Sequence, residues 1–272
     1  MQILNSVIMG IIQGLTEFLP ISSSGHLVLY QYFFGKQGEL NNDISLEVFL
    51  HLGSLLAVVI YFRRDILELL GSVFQWKSSL DSNRHLRNRM VIVYLLISTL
   101  VTGAIYLMAG DKIETAFSHP VLVSVFLVVT GIIIFTSDLI RCTEIPMSGM
   151  GLIRSVIIGL GQGFAMLPGI SRSGTTIAAS LFCGVKRTDA ARFSFLLSIP
   201  AILAANLSEF STLANLQSNQ FAIYLAGAAA AFISGYLVIS ILLRLIQNAK
   251  LKYFAFYCWF IAALSLSFMT FN

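Results

Sequence analysis

The chain has 272 residues, 57% of them hydrophobic and only 11% charged, with a mean hydropathy of +0.83. Soluble domains carry about 25% charged residues, so an ordinary soluble fold is excluded. The net charge of +4 is small, calls for no nucleic-acid partner, and matters only through its distribution. Apolar runs of helix-spanning length recur in both halves, without the alternation in ~10-residue segments that marks a membrane barrel. The composition therefore predicts an all-α polytopic membrane protein, organised as a single integral membrane domain over 1–272.

Residues 3–19 are apolar but contain Asn5, Gln13, Thr16 and Glu17, and they end at Pro20, Ser22–Ser24 and Gly25. With no Lys or Arg before Lys36, this start lacks the basic region of a signal peptide and is expected to be retained. Residues 26–34 are apolar again. Two short helices around such a break predict a re-entrant hairpin, since irregular backbone at membrane depth must be buried in protein or line a wet cavity. Spans follow at 46–62, 90–108 and 120–140. Between the first two, 63–89 is expected to be a basic connection with an amphipathic piece at 66–76. A nearly neutral loop (Asp111, Lys112, Glu114) follows the second. Residues 152–184 repeat the hairpin pattern, and spans at 193–207, 222–245 and 253–271 complete the chain. Cys142, Cys183 and Cys258 have no paired spacing and read as small core hydrophobes.

Most of the 17 lysines and arginines fall in four connections, near 63–89, 141–154, 186–192 and 244–252. Placing these in the cytoplasm gives one consistent topology with both termini outside. Hairpin one then enters from outside and hairpin two from inside. Each half is one re-entrant helical hairpin plus three transmembrane helices, and the odd number of crossings inverts the second copy. This is an inverted-topology repeat, with pseudo-repeats 1–141 and 150–272. Gln13-Gly14 aligns with Gln162-Gly163, and Ser22-Ser-Ser-Gly25 with Ser171-Arg-Ser-Gly174.

Arg172 is the sharpest chemical signal. A charge deep in an apolar hairpin costs about 2.5–3.5 kcal/mol on insertion scales, so it should face a partner or a wet cavity. It is read either as an ion-pair partner of Glu17 or as a clamp whose donor fork suits phosphate oxygens. Ser171, Ser173, Gly174 and Thr176 add hydroxyls and small residues at a helix start, an anion-binding arrangement that also serves as plain capping. Ser22, Ser23, Ser24 and Gly25 open the other hairpin's second helix in the same way. His26 beside them is a candidate acid or base for a hydroxyl nucleophile. Alternatively it only bonds the backbone, and spacing does not say which serine it reaches. Gln13 and Glu17 share a helical face, so one carboxylate and one amide oxygen, with substrate phosphates, make a candidate weak Mg²⁺ or Ca²⁺ site. Glu47 and His51 are candidates for the cavity's outer mouth or for an interfacial cap. Arg63, Arg64, Arg187 and Arg192 read as topology anchors.

Gln13-Gly-Leu-Thr-Glu17 with Pro20-Ile-Ser-Ser-Ser-Gly-His26 resembles the first signature of the undecaprenyl-diphosphate phosphatase family, the bacitracin-resistance proteins. Pro168-Gly-Ile-Ser-Arg-Ser-Gly-Thr-Thr176 resembles the second at every position. The segments Leu52-Gly-Ser-Leu-Leu-Ala57 and Phe193-Ser-Phe-Leu-Leu197 also look like family segments. The resemblance implies hydrolysis of undecaprenyl diphosphate to the monophosphate carrier at the outer face of the bacterial cytoplasmic membrane, serving peptidoglycan synthesis and bacitracin resistance. It implies dependence on a divalent cation, Mg²⁺ or Ca²⁺. It implies that Glu17 is required, Ser23 is the nucleophile, His26 assists and Arg172 holds the diphosphate. Two positions depart from the pattern: some members have Glu at Gln13, and many read Tyr-Arg where this chain has Tyr257-Cys258. The expected partners are a polyprenyl diphosphate and the bilayer, with a homodimer left open. The rival class is a transporter or flippase of a phosphorylated lipid, which would share Arg172 but does not need the Ser/His/Glu set beside it.

Overall fold

The computed structural model describes residues 2–35, 44–74, 82–141, 143–208, 218–247 and 250–271. Among them are eleven α-helices: α1 (Gln2–Phe18), α2 (Ser23–Phe34), α3 (Ile44–Tyr61), α4 (Arg63–Phe74), α5 (Ser82–Ala116), α6 (Pro120–Asp138), α7 (Leu152–Phe164), α8 (Arg172–Phe182), α9 (Arg187–Ser208), α10 (Ser218–Gln247) and α11 (Lys252–Phe271). The described residues form no strand beyond one isolated Ile145–Val185 bridge. Five helices are long and apolar enough to cross a membrane, and a sixth crossing is reached if α3 and α4 count as one bent span. The all-helical, multi-pass expectation is met. Cys258 is buried as expected and Cys183 is half-buried against the core, while Cys142 lies outside the described residues.

The boundaries differ from the sequence expectation in instructive ways. The 46–62 span is α3, and after Tyr61 the chain bends by 73° into α4. Arg63, Arg64 and Asp65 open α4, and their charges cannot stay in hydrocarbon. Leu67, Leu70 and Val73 remain exposed on α4, so it is an amphipathic helix placed to lie at an interface. The 90–108 span is the centre of the 35-residue α5. At 1.5 Å per residue it is roughly 52 Å long, so it outruns the ~30 Å hydrocarbon layer. Asp111, Lys112 and Glu114, expected in a loop, are its last helical turns.

The basic connections meet at one end of the bundle. Arg192 at the start of α9 pairs with Asp65 of α4. Arg89 of α5 donates to the Ser72 carbonyl at 2.7 Å. Arg187 pairs with the buried Asp138 at 2.9 Å, and Asp138 also accepts from the Lys252 amide at 3.1 Å. Of the arginines read as topology anchors, Arg192 thus also ties α9 to α4 and Arg187 ties α9 to α6, while Arg89 and Asp138 bring in α5 and α11.

Small residues set the helix packing. α1 packs along α10, and α7 along α5. A Cβ at Gly10 would collide with the Gly227 carbonyl, and one at Gly14 with the Ala231 carbonyl and the Ser234 hydroxyl. Gly159 likewise meets the Ser98 backbone of α5, whereas Gly163 makes room for the Ile105 side chain. Both α1 and α7 therefore use a Gly-x-x-x-Gly face for close helix packing, which lipid-embedded helices favour. Gly10→Ala and Gly14→Ala should each lower thermal stability in detergent, on the scale of ~1–3 kcal/mol for overpacking. Gly103→Ala, where a Cβ would meet nothing within 4 Å, should not.

Candidate active site

Two chain breaks bring the polar residues together. Pro20 ends the first hairpin's outgoing helix, and Ser22 adopts φ 70°, the one non-glycine residue at positive φ among the described residues. Such strain is sustained only when the surroundings enforce it, and it clusters at functional sites. Here the Ser22 hydroxyl accepts from the Gly25 amide at 3.2 Å and caps α2. In the second hairpin Gly169 takes φ 95°, and the Ser171 hydroxyl accepts from the Gly174 amide at 3.0 Å and caps α8. Thr130, near the middle of α6, donates to the Gly169 carbonyl at 2.7 Å and accepts from the Ser171 amide at 3.0 Å. That bond holds the second break at the mid-depth of a spanning helix.

The two breaks pack directly on each other. A Cβ on Gly25 would press on Gly169, and one on Gly174 on Pro20. The Ser173 hydroxyl donates to the Leu19 carbonyl at 3.0 Å. Two helix N-termini thus adjoin, each with first-turn amides that have no intrahelical acceptor and a dipole that favours negative charge.

Glu17 is the hub. Its Oε1 pairs with Arg172 Nη2 across the two hairpins, and both side chains are largely buried. Its Oε2 accepts from the Ser23 hydroxyl at 2.6 Å and from Gln13 Nε2 at 3.1 Å. Gln13 is fully buried, and its Nε2 also reaches the Ser54 hydroxyl at 3.4 Å, whereas its Oε1 has no partner. Arg172 Nη1 lies 3.4 Å from the Ser194 carbonyl, and the Ser194 hydroxyl is 2.6 Å from that of Thr176. The arrangement joins a hydroxyl to a carboxylate that can take its proton, beside a guanidinium and two helix starts suited to an anion. The buried rings of Phe18 and Phe62 each meet Phe195 in the hydrophobic core.

Residues 6–264 match the sequence model of the family described as "Bacitracin resistance protein BacA". The chain belongs to this family. It is 41% identical over 271 residues to an undecaprenyl-diphosphatase of Methanobrevibacter smithii, covering 96% of this chain and 95% of that one. It is 42% identical over 261 residues to an undecaprenyl-diphosphatase of Treponema denticola, covering 94% of each. Undecaprenyl-diphosphatase 1 of Shouchella clausii is 38% identical over 271 residues, with 97% and 95% covered.

Within this BacA-family chain the sequence-selected residues divide by what their side chains do. Glu17, Ser23 and Arg172 form one bonded set, with Gln13 attached to it. His26 stands at its flank: its Nδ1 lies 2.7 Å from the Ser22 carbonyl and its Nε2 3.0 Å from the Tyr257 hydroxyl. Neither partner is a serine hydroxyl. Ser22 and Ser171 spend their hydroxyls on capping, Ser24 sits 3.3 Å from Ser22, and Ser173 lies 3.3 Å from Ser171 while tying the hairpins. Thr176 donates back to the Arg172 carbonyl at 2.8 Å. Glu47 accepts from Gln31 at 3.4 Å and so ties α2 to α3, while His51 Nδ1 bonds the Glu47 carbonyl at 2.8 Å within α3.

Ser54, Thr130, Ser194 and the Tyr257 hydroxyl also serve the site, and residue type alone did not single them out. Ser54 and Ser194 lie in the two family-like segments and Tyr257 in the Tyr257-Cys258 pair compared with the family pattern, which were the available signals. No group of three or more His, Cys, Asp or Glu side chains converges into a metal site among the described residues. A bound cation would therefore draw on one carboxylate, an amide oxygen and substrate phosphates, the sparse donor set with which Mg²⁺ is commonly held. Gln13 turns Nε2 toward Glu17, so its orphaned, buried Oε1 would join that set only with the amide rotated.

Proposed function

We propose that the protein hydrolyses undecaprenyl diphosphate to undecaprenyl phosphate and inorganic phosphate, recycling the lipid carrier of cell-wall synthesis and thereby conferring bacitracin resistance. The observation that carries this reading is the Ser23–Glu17–Arg172 set, in which one carboxylate joins a hydroxyl from one hairpin to a guanidinium from the other. The undecaprenyl-diphosphatase names of the relatives agree with it.

In the mechanism we infer, the diphosphate takes over Arg172 from Glu17. The fork of Arg172, the first-turn amides of α2 and α8, and the Ser24 hydroxyl neutralise and orient its oxygens, while Ser173 keeps the two hairpins together. Phosphoryl transfer needs chiefly such positioning and charge stabilisation. Ser23 attacks the terminal phosphorus and its proton passes to Glu17 Oε2. The bond from phosphorus to the bridging oxygen breaks, and the electron pair leaves on undecaprenyl phosphate. Water then releases phosphate from Ser23, with Glu17 and His26 handling its protons. A divalent cation held by Glu17 and Gln13 would supply further neutralisation of phosphate charge.

The architecture we assign is an inverted-topology repeat with both termini outside, in the cytoplasmic membrane, and a site opening outward. Its support is the pairwise likeness of the halves. The Ser22 and Ser171 caps, the Gln13 and Gln162 orphaned oxygens, and the α1–α10 and α7–α5 glycine contacts all recur at matching positions. The clustering of the basic connections at one end agrees with the positive-inside orientation.

Purified protein should release phosphate from undecaprenyl diphosphate, stop with chelator, and resume with added Mg²⁺ or Ca²⁺. In right-side-out vesicles, phosphate should appear outside. An inert protein that instead moves the lipid across liposomes would favour the transporter.

A further inference from the structure

We infer that Tyr257 is a positioning residue that fixes the catalytic orientation of His26, an inference that rests on the assignment of His26 to proton handling. A backbone carbonyl can only accept, so the 2.7 Å contact with Ser22 places the ring proton of neutral His26 on Nδ1. The remaining nitrogen, Nε2, is then the single basic position of the ring. That atom meets the Tyr257 hydroxyl at 3.0 Å, and the two ring planes lie within 6° of each other with centroids 5.6 Å apart. The imidazole is therefore held at both ends, by its own hairpin through Ser22 and by α11 through Tyr257.

The α11 end of this clamp is itself fixed. The Cys258 thiol is buried 3.9 Å from the Pro20 carbonyl, and Trp259 Nε1 donates to the Val128 carbonyl at 3.1 Å. The Trp259 ring fills the space where Gly131 lacks a side chain. The turn carrying Tyr257 is thus locked to α6 and to the first break, so its hydroxyl is a fixed reference point. Tyr257 itself is 39% exposed on a helix that crosses the membrane. An aromatic ring there is ordinary, but its hydroxyl needs a polar partner, and the one it takes is His26 Nε2. A carboxylate or carbonyl behind a histidine commonly plays this role. Here a hydroxyl donor holds the opposite nitrogen, keeping it unprotonated until substrate enters.

The test compares four purified proteins in the phosphate-release assay: wild type, Tyr257→Phe, His26→Ala and the double variant, each with its thermal midpoint. Phenylalanine keeps the ring contact and removes only the hydroxyl. Tyr257→Phe should lower kcat roughly tenfold, the scale of one lost hydrogen bond, with KM and thermal midpoint unchanged. In the His26→Ala background the same substitution should have no further effect. Tyr253→Phe, one turn away and exposed, should match wild type. Independent losses that multiply in the double variant would overturn the inference, as would wild-type kcat in Tyr257→Phe. If His26→Ala alone kept wild-type activity, the proton-handling role of His26 would fall, and the role of Tyr257 with it.

Discussion

Arg172→Ala should reduce phosphate release from undecaprenyl diphosphate by roughly a thousandfold, the scale at which an arginine on a transferring phosphoryl group acts. The loss should fall mainly on kcat, because charge develops most in the transition state. Arg172→Lys should recover little. Arg172 engages Glu17 through Nη2 and the Ser194 carbonyl through Nη1, and an ammonium cannot reproduce a planar fork that spans two partners. Arg172→Ala also leaves Glu17 buried without its cation, and breaking a buried pair costs about 3–5 kcal/mol. Thermal midpoints must therefore accompany the rates. The lysine variant keeps a charge near Glu17, so it should be the more stable of the two while remaining nearly inactive.

Glu17→Gln is expected to lower the rate by about 10²–10⁴, the usual contribution of a positioned acid–base group. The amide keeps most of the carboxylate's shape and can still hydrogen-bond Gln13 and Ser23. It cannot take the Ser23 proton, and it contributes no charge toward a cation. Two readouts separate these roles. If Glu17 is also a cation ligand, the variant should need a higher Mg²⁺ or Ca²⁺ concentration for half-maximal rate. Ser23→Ala should lose activity on a similar scale with an unchanged cation requirement, because it removes the hydroxyl and leaves the carboxylate.

The sequence made the chemistry more legible than the boundaries. Glu17 and Arg172 stood out because charged side chains are costly in an apolar chain, whereas only the family resemblance separated Ser23 from Ser22 and Ser24; the structure brings those three together, Glu17, Ser23 and Arg172. The helical hairpins were equally visible, since Pro20 and Pro168-Gly169 break helices whatever surrounds them. The ends of α5 were not. Its first and last turns are polar, so hydropathy reports where lipid ends and not where the helix does. The role of Gly10, Gly14, Gly159 and Gly163 was also missed, although a four-residue glycine spacing on each hairpin's first helix was available to be read. The partners of His26 could not be found locally. Its proximity to three serines suggested a hydroxyl, but an α-helical start directs Nδ1 back to the Ser22 carbonyl. Nε2 is met by Tyr257, 231 residues away, a contact set by how α11 packs beside hairpin one. Ser22 and Ser171 looked like substrate ligands by composition, yet a helix beginning at the next residue claims their hydroxyls for its own amides.

In the proposed mechanism one carboxylate joins the Ser23 hydroxyl from the first half of the chain to the Arg172 guanidinium from the second. The most direct test of that mechanism is phosphate release from undecaprenyl diphosphate by wild type, Ser23→Ala, Glu17→Gln and Arg172→Ala, purified side by side with Mg²⁺ present. Wild type should turn over and each variant should lose at least about a hundredfold, with Ser23→Ala retaining the wild-type thermal midpoint. Equal rates in all four proteins would contradict the mechanism.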